Sequence, residues 1–479
     1  MKYDVVIIGS GLGGLVCGSL LARSGRSVLV LERQAQPGGC MQSYQRDGLS
    51  FDTGFHYVGG LAEGQPLHHL FSYLGLMQLP WVRLDSDGFD RVTIGHQTFP
   101  LAEGYDHFAD ILSDYFPKER EALKQYVKTL QHLPPMEEIG HVNAYDWLKS
   151  LFRDPLLINV VSGPAIKMEL RRESLPLFTF AHGMSSYIAS SWRLRGGGQQ
   201  IVQSLVSDIQ RMGGKVVCHA EVNKLVEKDG RIMAARSTKG NTYEGDVFIS
   251  DVHPQVTFGW VGDSRMLKGL FRRRINALEN SFGMFTVSLV LKQGTLPYFN
   301  HNKYVYRKPN VWTFHEDVGG IGGVMVSCRV PDDEKGTYAR QVDLMTPMSW
   351  KLCEPWAATT VGRRGEMYQM LKDHLADECI CLAERVIPGL HGMVERHYTS
   401  TPLTYRDYTQ SPCGSAYGVR KDCRNLLMTT LPPRTPIPNL LLTGQSLMLH
   451  GVEGVAMTAL QTCGELLGND YIEKITHTY

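Results

Sequence analysis

An α/β architecture is predicted, in which one doubly wound domain is assembled from separated stretches of chain and an α+β domain is inserted into it. Three observations predict it. A short β-branched strand opens the chain and runs into a glycine-rich turn and a helix. A second glycine-rich turn, at 196–198, leads into an amphipathic helix and several strand patterns. An apolar strand followed by a glycine-spaced helix closes the chain. Continuous apolar runs bounded by glycine are the pattern of buried parallel strands.

The first element, Tyr3 to Ile8, carries the run Val5, Val6, Ile7 and Ile8. Gly9-Ser10-Gly11-Leu12-Gly13-Gly14 follows, then a helix with Leu15, Leu20, Leu21 and Ala22 available for an apolar face, stopped by Gly25. Ser27 to Leu31 is a second buried strand, ending in Glu32. This is a βαβ unit with GxGxxG on Gly9, Gly11 and Gly14. The first glycine permits the tight turn, the second a close approach of backbone to a pyrophosphate, and the third close packing of helix on strand. The helix start offers free N–H groups to phosphate oxygens. Glu32 lies 23 residues after Gly9, where a carboxylate would meet ribose hydroxyls. A bound dinucleotide, FAD or NAD in preference to NADP, is predicted.

Arg33 to Ser43 decides between them. It contains a second glycine pair, Gly38-Gly39, followed by Cys40. Here the chain resembles the flavoprotein superfamily of amine oxidases and phytoene desaturases, in which such a pair continues the flavin site. Phe51-Asp52-Thr53-Gly54-Phe55-His56-Tyr57-Val58-Gly59 resembles the corresponding stretch of the retinol saturase and carotenoid isomerase branch, as does the cysteine after the glycines. Amine oxidases typically carry arginine or lysine at that place. The resemblance implies FAD as cofactor.

The closing segment supports this. Asn439 to Thr443 is an apolar strand, followed by Gly444-Gln445 and by Gly451-Val452-Glu453-Gly454-Val455-Ala456, helical onward to about Leu467. It resembles the superfamily's C-terminal flavin motif, where a helix N-terminus faces the isoalloxazine. In the middle, Leu194 to Gln200 precedes a helix to about Met212. Lys215 to Leu225 and Arg231 to Lys239 read as strands, with Asp229-Gly230 as the turn before the second. The resemblance implies that backbone near Val222 meets the adenine. Predicted cofactor contacts are therefore Gly9, Gly11, Leu12, Gly13, Gly14, Glu32, Arg33, Gly38, Gly39, Cys40, Val222, Gly444, Gln445, Gly454 and Val455. The discontinuous FAD-binding domain is placed at 1–60, 194–254 and 426–479, and the inserted substrate domain at 61–193 and 255–425.

Length and composition agree with such a protein. A chain of 479 residues suits two or three domains. Hydrophobic residues at 43% and charged residues at 20% are ordinary for a globular chain. A net charge of +1 gives no global attraction to nucleic acid. The ten cysteines lie singly except Cys379 and Cys381, without CxxC or zinc-finger spacing. No metal site is predicted, and a reducing, cytoplasmic setting is. The apolar run after Met1-Lys2 is cut short by the glycines and shows no cleavage site, so it reads as a strand and not a signal peptide. No apolar stretch of about 18 residues is present for a spanning helix.

The substrate domain lacks nucleotide motifs. Tyr105 to Leu133 and Ala144 into the 180s read mostly helical, and Phe285 to Leu291 and Gly323 to Val330 read as strands. The aromatics and methionines Tyr187, Trp192, Phe282, Met284, Phe285, Tyr304, Tyr306, Trp312 and Phe314 could together line a tunnel for a polyene; taken singly, each is better read as core. Tyr405 to Tyr408 and Cys413 to Val419 resemble the saturase branch and are expected to approach the flavin from the substrate side. The basic run Phe271-Arg272-Arg273-Arg274 is compatible with peripheral contact to anionic lipid, and more simply with a solvated face.

The resemblance implies an oxidoreductase acting on C=C bonds of a hydrophobic conjugated isoprenoid. Saturating one such bond needs a hydride and a proton, so an acid near the flavin is expected. The candidates are His56 and Tyr57 in the FDTG stretch, and His450 and Glu453 beside the terminal glycines. A helix N-terminus would lower the pKa of His450 and favour neutral imidazole. Cys40 is read as packing in preference to redox-active. Desaturation, cis–trans isomerisation, and a non-catalytic FAD-binding protein are the alternatives. The electron donor is not specified by any motif.

Overall fold

The computed structural model describes residues 2–314, 320–333 and 336–478. Its first sheet runs, in spatial order, Lys215–Val217, Val28–Leu31, Lys2–Ile8 and Thr242–Ser250, all parallel. Leu440–Leu442 adds in parallel to the end of Thr242–Ser250, at Phe248 to Ser250. The start of that same strand pairs antiparallel with Arg231–Ser237, which pairs in turn with Val222–Lys228. Three distant parts of the chain thus share one sheet.

Side-chain alternation explains why this sheet is covered on both faces. Val5, Ile7, Val28 and Val30 enter one core, while Val6, Ile8, Leu29 and Leu31 enter another. The helix Leu12–Arg23 lies on the first face with Gln199–Arg211 and Gly451–Leu467. It is buried along its whole length from Leu12 to Ala22, so it has no solvated side to complement the apolar stripe expected of it. Gly18 permits the crossing with Gln199–Arg211, since a Cβ there would stand 2.8 Å from Ile209 Cδ1. Arg23 fixes the same pair by donating to Asp208 through Nε (2.7 Å) and Nη2 (2.9 Å).

The second sheet has the order Val394–Ser400, Gly283–Leu291, Gln341–Met348, Gly323–Cys328, Asn302–Tyr306, Asp90–Ile94 and Gln97–Leu101. It is antiparallel except where Asn302–Tyr306 meets Asp90–Ile94. One face carries Phe285, Val287, Leu289 and Val324 against the helix Glu366–Ala383. The other carries Met284, Tyr304, Tyr306 and Met345 into a core shared with the helices of 105–189.

One reading of local structure is corrected and another refined. The stretch Lys215 to Leu225 is not one strand: it breaks after Val217, with His219 left-handed at φ 56, because its two halves bond different partners. The break lets His219 and Ala220 donate their backbone N–H groups to Gln34 O and Glu32 O at 3.0 and 2.7 Å. The helical run from Tyr105 is split into Tyr105–Tyr115 and Arg120–Gln131. Phe116 precedes Pro117, and a residue before proline is driven out of the helical region. Asp229 and Gly230, with φ 51 and 79, form the left-handed pair of a two-residue hairpin turn.

Candidate cofactor and substrate site

A cleft of about 250 Å³ opens at the carboxyl ends of the parallel strands, where ligands of such sheets bind. Gly9, Gly11, Leu12 and Gly13 form one wall, with Glu32 and Arg33 beyond them. Gly39, Cys40, Val222, Gln445 and Val455 also line it. The other four expected contacts, Gly14, Gly38, Gly444 and Gly454, do not. Three of them are closely packed: a Cβ on Gly14 would lie 2.2 Å from Gly9 O, on Gly38 2.8 Å from Val202 Cγ2, and on Gly454 2.6 Å from Leu449 Cβ. Gly444 lies against Gly13, whose Cβ would be 3.1 Å from Gly444 Cα.

Hydrogen bonds hold the cleft's loops in one arrangement. Glu32 accepts from Ser10 N (3.2 Å), from Ser10 Oγ, and from Gln34 N (2.7 Å). Gly38 N donates to Ser10 O at 2.9 Å, tying the second glycine pair to the first turn. Gly39, at φ 54, passes so close that its Cβ would stand 3.1 Å from Gly11 Cα. Asp52 of the FDTG stretch accepts from Ser43 Oγ (2.8 Å) and Gly198 N (2.9 Å), so this motif and the triple-glycine turn brace each other. Burial pushes the Cys40 thiol up to about 11, with the nearby Asp251 adding to the shift; Cys40 is therefore a protonated lining group.

Asp251 is a cleft residue that sequence reasoning passed over. It follows the strand Thr242–Ser250, and its carboxylate lies under the glycine turn. A Cβ on Gly11 would be 2.5 Å from its Oδ2, and one on Gly13 2.6 Å from its Oδ1. Burial raises its pKa to about 7, against the lowering effect of the Gly14 and Gly11 backbone N–H groups. A single aspartate after a strand has no spacing signature.

A second cavity, of about 440 Å³, lies beyond the start of the helix Gly451–Leu467. Gly451 and Val452 line both spaces, so the two meet at that helix N-terminus. Its walls are largely apolar, with Met168, Phe178, Met448, Leu449 and Met457. The polar groups include Lys167, His182, His450 and Glu453.

The four proposed acid–base residues are placed differently. His450 stands at the helix N-cap position, donates Nε2–H to Lys167 O (2.7 Å), and stacks on Tyr417. Its pKa is lowered to about 4, chiefly by burial, with Lys421 adding to the shift. Glu453, in the first helical turn, is raised to about 7 by burial. Tyr57 sits behind the cavity wall: its hydroxyl donates to Asp90 Oδ2 (2.8 Å) and lies 2.8 Å from Tyr304 Oη. His56 lines neither large cavity. It occupies a small side space with Asp52, Arg193 and Asp343, and burial and Arg193 lower it to about 4, so its 3.8 Å approach to Asp343 is not an ion pair at neutral pH.

Of the nine aromatics and methionines expected to line a tunnel, Tyr187 alone lines the second cavity. Phe285, Tyr304, Tyr306 and Trp312 are core side chains, at most 1% exposed. Tyr405 and Tyr408, on the helix Pro402–Thr409, and Ala416 of the following segment line the glycine-rich cleft. Arg272 and Arg274 of the basic run donate to backbone carbonyls, including Val261 O (3.2 Å) and Leu427 O (2.6 Å), and so brace the fold. Among the described residues no helix is long and apolar enough to cross a membrane.

A doubly wound sheet with a glycine-lined cleft, and a second cavity that meets it at Gly451 and Val452, defines an oxidoreductase of the two-domain dinucleotide-binding class. The family described as an NAD(P)-binding Rossmann-like domain matches residues 7–74. The human all-trans-retinol 13,14-reductase is 26% identical, over 97% of this chain and 86% of that protein. Prolycopene isomerase 1 of an Oncidium hybrid cultivar is 25% identical, over 99% of this chain and 85% of that protein. The fold is shared with a crystal structure of an oxidoreductase from Methanosarcina mazei, at TM-score 0.66 and 17% identity, covering 96% of this chain and 99% of that one. The resemblance to the saturase and carotenoid isomerase branch thus extends over nearly the whole chain.

Proposed function

We propose that the protein binds FAD in the glycine-lined cleft and acts on C=C bonds of a hydrophobic conjugated isoprenoid held in the second cavity, with saturation as the reaction. The observation that carries this is the meeting of the two spaces at Gly451 and Val452. A cofactor in the first cleft and an apolar chain in the second would come together at a helix N-terminus, which favours negative charge.

The cleft fits the cofactor. Gly11, Gly13 and Gly39 leave backbone bare where side chains would collide, so a diphosphate can approach the helix start. That Glu32 and Val222 line the same cleft supports a role for them on the ribose and adenine side of the cofactor. When bound, FAD supplies a two-electron donor or acceptor. The remaining work belongs to the chain. Glu453, with its pKa near 7, holds a proton on its carboxyl inside the cavity and is the group suited to deliver it to carbon. His450 is neutral and carries its proton on Nε2, so it orients the cavity edge and does not act as an acid. An apolar chain bound against these walls would displace water from a site where a stray proton would compete.

Anaerobic photoreduction of the purified yellow protein, followed by addition of retinol or a carotenoid, tests this. Flavin reoxidation with a product two mass units heavier is the expected result. Persistently reduced flavin with either polyene would overturn saturation, and altered chromatographic retention at unchanged mass would mark isomerisation.

A further inference from the structure

Lys167 is the one ammonium that lines the second cavity among the described residues. It has no place in the proton chemistry assigned to Glu453. Its Nζ lies 3.3 Å from Asp90 Oδ2, 3.6 Å from the centre of the Tyr187 ring and 4.9 Å from that of Tyr57. Asp90 is fully buried and already engaged, accepting from Tyr57 Oη at 2.8 Å on Oδ2 and from Asn302 Nδ2 at 2.8 Å on Oδ1. The lysine backbone is fixed as well, since its carbonyl takes the His450 bond at the place where the two cavities meet.

An ammonium has three donors; Asp90 accounts for one and the face of the Tyr187 ring receives the charge on another side. Filling the cavity with a pure hydrocarbon would strip water from what remains and leave it unmatched, which is costly for a charged group. A carboxylate would be matched, but the Lys167–Asp90 pair is already neutral, so an acid would bring an uncompensated buried charge. An uncharged oxygen acceptor meets both conditions.

We propose that Lys167, held by Asp90, receives the hydroxyl or carbonyl terminus of the conjugated isoprenoid and makes the cavity selective for polyene alcohols and aldehydes over hydrocarbons and carboxylic acids. This rests on the isoprenoid reading of the cavity. It separates the two kinds of relative, because retinol ends in a hydroxyl and prolycopene is a hydrocarbon. Lys167 is a specificity-determining residue here and takes no part in bond making.

The same geometry supplies a test that needs no turnover. An aldehyde carbon brought to the terminus position would lie against Nζ. The amine would add to it, lose water and form an imine, which cyanoborohydride reduces to a stable secondary amine. Burial lowers the Lys167 pKa to about 8, so a usable fraction of free amine is present near neutral pH. The holoprotein is incubated with all-trans-retinal and cyanoborohydride, digested, and mapped by mass spectrometry. The expected result is a retinyl adduct on Lys167, suppressed by excess retinol and not by β-carotene. Absence of label from Lys167, whether other lysines are modified or none, overturns the assignment. As a second measurement, Lys167→Met should weaken retinol binding about tenfold or more and leave β-carotene binding unchanged; equal losses for both would also overturn it. If Lys167 is labelled but photoreduced flavin is never reoxidised by retinol, the saturation reading fails and the anchor stands.

Discussion

The ring of Tyr417 stacks on the imidazole of His450, with centroids 4.3 Å apart and planes inclined by 27°. Tyr417 is itself anchored, donating its hydroxyl to Ile166 O at 2.5 Å. The stack and the bond to Lys167 O hold the imidazole from two sides. His450→Phe keeps the stack and removes the bond. It is expected to retain flavin and to slow turnover about tenfold, the order of one lost hydrogen bond. Flavin stoichiometry and kcat measured together check this; a full loss of flavin would mean that the imidazole supports the cofactor cleft instead.

The pH profile should report Glu453 and not His450. Burial raises the carboxyl from 4.5 to about 7, so the proton-bearing form is present below neutrality and is lost as pH rises through about 7. His450 and His56, both held near 4, contribute no change between pH 5 and 8. The limb in kcat at neutral pH, read with flavin and substrate saturating, should vanish in Glu453→Gln, with activity reduced at all pH values. A limb that persists in this variant would assign the proton to another group.

Asp251 should couple cofactor affinity to pH. Its carboxyl has a pKa of about 7 and lies beside the turn that would face a diphosphate. A bound dianion would raise that pKa further, so binding is tightest with the acid protonated and weakens as pH rises above 7. Flavin dissociation followed by fluorescence from pH 6 to 9 checks the direction, and Asp251→Asn should flatten the dependence. Equal pH slopes in both proteins would remove Asp251 from the cleft's electrostatics.

Gly11→Val and Glu32→Ala should both lose flavin on dialysis. The first places a side chain where Cβ alone is 2.5 Å from Asp251 Oδ2, and the second releases Ser10 and Gln34 from their shared carboxylate. Gly14→Ala strikes a backbone oxygen at 2.2 Å and is expected to destabilise the fold itself, by about 1–3 kcal/mol. Denaturation midpoints of the apoproteins separate the two classes of effect.

His56→Ala is expected to keep flavin and to leave turnover within a factor of about three, because its ring faces a side space walled by Asp52, Arg193 and Asp343. Turnover slowed a hundredfold would place it in the reaction after all.

The nucleotide half of this molecule was readable because its signals are local. Strand, turn, helix and acid follow one another from Tyr3 to Glu32, and each residue type has one physical reason to stand there. The substrate half was not. Whether Phe178 or Tyr304 faces a void depends on which neighbours leave space, and both look alike as aromatic residues in an apolar run. Lys167 gave no sign at all, since a lysine in a helical stretch is ordinarily solvated. His56 drew attention by adjacency to a motif whose aspartate, Asp52, braces a turn and lines neither of the two large cavities.

The position of Leu440–Leu442 in the first sheet has a consequence for how the molecule is made. Synthesis delivers about 5–20 residues each second from the N-terminus. The strand that completes the cleft, and the helix whose start joins the two cavities, leave the ribosome only after every strand of the second sheet. A nascent chain therefore exposes an unfinished sheet edge beside Phe248 and Ile249 throughout the synthesis of residues 251 to 439, and the cleft is walled on that side only after them. A ribosome stalled before residue 440 would therefore leave a chain with an open parallel edge where the cleft should close, a product for quality control.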